Sequence, residues 1–113
     1  MPERLQRRRT KGYTLPAGAV IVDRTTRFGN PFTTKQGYTR EECAARFETY
    51  LIVRRNPHPG WRDLLAYPSD EEIRRELGGR DLACWCPLPA EGEPDHCHAS
   101  VLLVWANEGV GDA

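Results

Sequence analysis

No stretch of this sequence is long and apolar enough to cross a bilayer. The longest, ASVLLVWA at 99–106, falls far short of the roughly 20 residues a spanning helix needs. Nor does an unbroken apolar segment follow the basic start, where Gly12, Pro16 and Asp23 intervene, so a secretory signal is not expected and the cytoplasm is the expected compartment. Net charge is missing too: 16 basic residues balance 16 acidic ones, which excludes a surface that is basic all over. No internal repeat and no linker-like stretch breaks the 113 residues, a length that suits one domain spanning 1–113. There is no Walker or dinucleotide-binding fingerprint, and no C-x2-C pair of the kind that marks zinc fingers and ribbons.

What is present is the composition of a small globular domain. An apolar fraction of 39% and a charged fraction of 28% allow a modest core and argue against wholesale disorder. A core of this size would gain from a bound metal or from a homodimer contact. Charge is unevenly spread. Residues 1–11 carry Arg4, Arg7, Arg8, Arg9 and Lys11 against Glu3, a local +4, and the remainder of the chain carries −4. Such a basic arm can touch phosphate, although a solvated edge strand or tail is the commoner meaning of the pattern. Residues 108–113 read as a flexible tail.

Along the chain, RLQRRR reads as a first, edge-type strand and GAVIVDR as a buried one. The loop RTTRFGNPFTTKQG follows, with a turn forced at Gly29, Asn30 and Pro31. Thr39 and Glu42 have capping-box spacing, and Cys43, Phe47, Tyr50 and Leu51 recur on one face, which predicts a helix over 40–54 that stops at NPHPG. On that stripe Cys43 is expected to be core. WRDLLA at 61–66 allows one short helical turn. Ser69 and Glu72 repeat the capping box for a helix over 70–77, closed by Gly78 and Gly79. RDLACWC reads as a third strand cut by Pro87, and ASVLLVWAN as a buried last helix, apolar on nearly every side and ending near Gly109. The expected fold class is α/β: a small two-layer or three-layer domain with a short, mainly parallel sheet and three to four helices. If the second and third strands are parallel, Arg24, Arg27 and Asn30 come to the same sheet edge as Cys86, Cys97 and His98.

Three of the four cysteines and two of the three histidines fall within CWCPLPAEGEPDHCH, 84–98. In a reducing compartment such a cluster points to metal, catalysis or packing before disulfides. On an extended strand Cys84 and Cys86 point to one side and Trp85 to the other, and with Cys97 and either His96 or His98 they would complete a tetrahedral zinc site, provided the chain there is not yet regular helix. A second reading makes Asp95 the N-cap of the last helix and places Cys97 in its first turn, where the amide dipoles favour a thiolate. Cys97 and His98 would then be the catalytic pair of a reactive-thiol enzyme, opposed by the acids Glu91, Glu93 and Asp95. A third makes the cysteines apolar fillers and the histidines loop residues. In the earlier loop, Arg24 and Arg27, the hydroxyls of Thr25 and Thr26 and the amides near Gly29 and Asn30 are candidates for an anion cradle, against a plain turn with solvated arginines.

The segments RRTKG, GAVIVDRTTRFGNPF, TREE and GGRDLACWCP…CHASVLL resemble a bacterial and phage family, domain of unknown function 4326, from about Arg7 to Asn107. The resemblance singles out Arg27, Gly29, Asn30 and Pro31 with Cys84, Cys86, Cys97 and His98, and it implies a unit and a site more than a reaction. The acidic PLPAEGEPDH insert departs from the family pattern and leaves the role of His96 open. The sequence thus leads to a cysteine and histidine cluster, expected to bind zinc, beside an arginine-lined pocket for an anionic small molecule or a nucleic-acid phosphate. The alternative is a non-enzymatic module stapled by the ion.

Overall fold

The computed structural model describes residues 2–9, 12, 14–53 and 67–108. Three short strands, β1 (Arg4–Gln6), β2 (Val20–Ile21) and β3 (Leu82–Cys84), form an all-parallel sheet in the order β1-β3-β2. Arg4 pairs with Leu82 and Gln6 with Cys84 on one flank of β3, and Val20 pairs with Leu82 on the other. The central strand is buried along its whole length, as its uninterrupted apolar character implies.

The outer strands are shorter than their apolar and basic runs suggested. For β2 the reason is local: the Asp23 carboxylate accepts the Thr25 amide at 2.9 Å and the Thr25 hydroxyl at 2.5 Å, which bends the chain into a turn. The ladder still reaches one residue further on each side, since the Val22 amide donates to Ala83 O at 2.9 Å and the Arg7 amide to Cys84 O at 2.8 Å.

The helices are α1 (Arg40–Val53), α2 (Asp70–Leu77) and α3 (His98–Ala106). The box at α1 is complete, with the Thr39 amide donating to Glu42 Oε1 at 2.9 Å and the Glu42 amide to Thr39 Oγ1 at 3.1 Å. At α2 the Ser69 hydroxyl accepts from the Glu72 amide, while the Glu72 carboxylate is drawn off to Arg27. The expected turn at 61–66, the stop at NPHPG, Lys11 of the basic arm and the tail beyond 108 lie outside the described residues.

One core joins these elements. Phe47 and Leu51 from α1, Ile73 and Leu77 from α2, Leu82 from β3 and Leu102 from α3 are fully buried, each worth about 1.5 to 3 kcal/mol of transfer free energy. Cys43 is buried on the α1 stripe as its spacing implied. Helix α3 touches β1, β3, α1 and α2, so it sits at the centre. It is not apolar-packed all round, because Val104 is 63% exposed. With all strands parallel, β2 and β3 end at one edge, where the chain next delivers Asp23 and Arg24 from one and Trp85 and Cys86 from the other.

Candidate metal centre and its pocket

At that edge the sulfurs converge. Cys84, Cys97 and His98 are all buried, and their ligand atoms lie within 4.8 Å of one another. The half-buried Cys86 places its sulfur 4.0 Å from that of Cys84. Tetrahedral zinc, with bonds of about 2.3 Å to sulfur, needs its sulfurs roughly 3.8 Å apart. All four cysteines are free thiols. Cys84 ends β3 and Cys86 lies just beyond it, so the alternation of an extended chain aims the two sulfurs together.

The second half of the cluster depends on a helix start. Cys97 is the N-cap of α3, with extended backbone at φ −130° and ψ 138°, and His98 is the first helical residue. The two neighbours therefore escape the roughly 100° divergence of a regular helix, and Cys97 Sγ lies 3.9 Å from His98 Nδ1. This corrects the expectation that Asp95 caps the helix. Asp95 is engaged elsewhere, and Cys97 precedes the first turn instead of lying in it.

His98 is held for one role. Its Nε2 lies 2.6 Å from Val22 O and 3.1 Å from Phe28 O, and its ring meets Phe47 edge to face at 5.6 Å. Two carbonyls at Nε2 require that nitrogen to carry the proton, so Nδ1 presents a lone pair toward the sulfurs. A ligating histidine whose other nitrogen donates to a backbone carbonyl is the usual outer support of a metal site. Burial lowers the His98 pKa and keeps the ring neutral, as a ligand must be.

Within the thiol cluster Cys86 is the one whose pKa is pushed down. Hydrogen bonds from Cys84 and then Cys97 lower its pKa, assisted by the positive charge of Arg40. The donating thiols of Cys84 and Cys97 are raised, each chiefly by its bond within the cluster. Cys97, considered above as a nucleophile, is 1% exposed. The accessible sulfur is that of Cys86.

The acidic insert is closed by a residue that the basic-arm reading treated as solvated. Arg4 is buried, donating from Nε and Nη2 to the Asp95 carboxylate at 2.7 and 2.8 Å, and from Nη1 and Nη2 to the carbonyls of Cys86 and Pro87 at 2.5 and 2.6 Å. One guanidinium therefore ties together both ends of the loop that separates the two halves of the cluster. His96 stays off the three-ligand set, although it lines the adjoining cavity.

That cavity encloses about 350 Å³ and is lined by Arg24, Asn30, Arg40, Trp85 and the whole cluster of Cys84, Cys86, Cys97 and His98. The earlier loop contributes to it differently from the cradle drawn from sequence. Arg24 faces the cavity, whereas Arg27 is paired with Glu72 and Glu76 of α2 and stacks over Phe28 at 4.9 Å, away from it. The Thr25 hydroxyl goes to Asp23, the Thr26 hydroxyl to Asp23 O at 3.2 Å, and the Gly29 amide to Thr26 O at 3.1 Å, so these donors are spent inside the turn. Gly29 is required by space: a Cβ there would lie 2.7 Å from Arg24 Cα and 2.9 Å from Asp23 O. Asn30 pins the loop to α1, donating to Cys43 O at 3.1 Å and accepting from the Phe32 amide at 2.9 Å.

Arg40 takes the place that Arg27 does not fill. Its signal in the sequence was a cation in the first turn of a helix, against the macrodipole, where Glu41 and Glu42 are the stabilising residues. Neither Arg24 nor Arg40 forms an ion pair among the described residues. Asp23, to which the sequence assigned no site role, is buried among the residues that line the cavity. Burial raises its carboxyl pKa, but hydrogen bonds from Thr25 and Arg7 outweigh this and hold it below the usual range.

The fold and the site define a small α/β domain with a buried cysteine and histidine cluster able to hold a metal ion, set at the carboxyl edge of a parallel sheet. The chain belongs to the family described as domain of unknown function (DUF4326), whose model matches residues 5–108. No curated protein and no solved structure matches it.

Proposed function

We propose that this domain holds one zinc ion through Cys84, Cys97 and His98, with Cys86 as the fourth ligand, and that the cavity beside it takes a phosphate-bearing nucleotide. The observation that carries the metal reading is the fixed tautomer of His98, with Val22 O and Phe28 O at Nε2 and a sulfur 3.9 Å from Nδ1. Zinc suits a set of three thiolates and an imidazole, in a protein whose thiols the cytoplasm keeps reduced. Bound, it would staple β3 to α3 and offset thiolate charge, leaving about −1 on the centre. Arg24 and Arg40, at the cavity wall and without an ion pair among the described residues, outweigh that charge and supply planar donors for a phosphate.

A water-activating centre is the second reading, favoured because the tight ligand set contains three residues and the half-exposed Cys86 is not among them. Three protein ligands leave a position for water, whose pKa zinc lowers toward about 7. Arg24 and Arg40 would then hold the anionic group of the substrate.

Elemental analysis of the untagged full chain, purified without added zinc, tests both. About one zinc per chain, retained in Cys86→Ser with measurable nucleotide hydrolysis in the wild type, favours the open centre. Zinc lost in Cys86→Ser as in Cys97→Ser favours the closed one. Metal-free protein that gains no stability from added zinc rejects both. Binding of a nucleoside monophosphate, measured by calorimetry and abolished in Arg24→Ala/Arg40→Ala, tests the pocket.

A further inference from the structure

Trp85 is more than a third exposed, although it stands between two residues of the buried cluster. It is one of the residues that line the cavity, and its indole lies beneath two guanidinium groups, Arg7 at 4.4 Å and Arg9 at 5.0 Å from the ring centroid. Arg7 is anchored by its ion pair with Asp23. Arg9 is exposed and has no ion pair among the described residues, and its neighbour Arg8 is exposed too. From these observations we infer that a single strand of nucleic acid binds across the mouth of the cavity, one base stacking on Trp85 and flanking phosphates meeting Arg8 and Arg9.

The chemistry of the surface selects this partner. An aromatic face ringed by planar cations matches the two repeating elements of a polynucleotide, base and phosphate, where an acidic peptide would use the cations alone. The base must be unpaired, since a duplex hides the faces of its bases from a side chain. A guanidinium resting on an indole is already poised for exchange: the base takes the ring and Arg9 moves to the phosphate. With Arg4 and Arg7 neutralised by Asp95 and Asp23, the exposed Arg8 and Arg9 are the cations of the arm that attract a polyanion to this edge. The inference rests on reading the cavity as a nucleotide site and extends it outward along the strand. If the arginine stems merely shield the indole from water, none of the effects below appears.

Fluorescence anisotropy of the zinc-loaded full chain with labelled oligothymidylate and oligouridylate of about 12 nucleotides tests it. Trp85→Ala should weaken binding by about tenfold and Trp85→Phe by much less. Arg9→Ala should reduce the slope of log affinity against log salt by about 1, with nucleoside monophosphate binding unchanged. Comparing the two oligomers shows whether the strand is DNA or RNA. Oligomer binding that is indifferent to both Trp85→Ala and Arg9→Ala overturns the inference, as does equal competition by polyglutamate. If the monophosphate binds and the oligomer binds no better, the pocket survives and the strand surface falls. If the monophosphate does not bind while the oligomer still depends on Trp85 and Arg9, the pocket reading falls and the surface is upheld.

Discussion

The Arg4 guanidinium grips both carboxylate oxygens of Asp95, at 2.7 and 2.8 Å, across 91 positions of chain. Its remaining donors hold the carbonyls of Cys86 and Pro87, so one side chain joins the sheet edge to the start and finish of the acidic loop. Arg4→Ala would leave a carboxylate and two carbonyls without their partner, at a cost of about 3 to 5 kcal/mol. Asp95→Asn, which keeps an acceptor, should lose less. Urea denaturation midpoints rank the variants, and zinc affinity should fall in the same order because both halves of the cluster hang from this loop.

His96 and His98 should behave oppositely. His98→Ala removes the proposed ligand whose tautomer Val22 O fixes, and zinc content should drop from the proposed one per chain toward zero, with loss of thermal stability. His96→Ala should keep its metal. Elemental analysis beside thermal melts reads both, and equal zinc in the two variants would refute the assignment of His98.

Gly29→Ala should strain the loop that carries Arg24. A Cβ at 2.7 Å from Arg24 Cα has only backbone to push against. The expected loss is about 1 to 3 kcal/mol, read from urea midpoints, together with weaker nucleotide binding as Arg24 shifts. Unchanged stability would show that the turn has room to yield.

Acid should expose the contribution of Asp23. Its folded pKa lies below the unfolded value of 3.8, so its stabilisation is complete above 3.8 and is lost as pH falls through the folded value. Release of zinc by acid affects the wild type and Asp23→Asn alike. The difference in urea midpoint between them should therefore be largest near neutrality and shrink below about pH 4. A constant difference would mean that the carboxylate is not the source.

Much of this architecture was legible because it is local. The capping pairs Thr39 with Glu42 and Ser69 with Glu72 marked both helix starts, and the apolar LAC run marked the central strand. Parallel strands then implied that the arginine loop and the cysteines share an edge. What the sequence hid is set by long-range partners. Arg27 was drawn away by acids 45 and 49 positions later, and Arg40 took the cavity wall in its stead. Arg4 reads as one more cation in a basic run until its buried partners are seen. The start of α3 was misplaced because Asp95, a good capping residue in isolation, had a stronger claim from Arg4.

Both outer strands pair with β3 and not with each other, so among the described residues no rung of the sheet exists until residues 82–84 are available. During synthesis β1 and β2 must leave the ribosome with their edges unsatisfied, helices such as α1 and α2 being free to form before the sheet. The thiols and the imidazole follow within the next two dozen residues. Sheet closure and assembly of the cysteine and histidine cluster thus fall together once residues 82–98 have emerged, and a nascent chain stalled before Leu82 would be a target for chaperones or proteases.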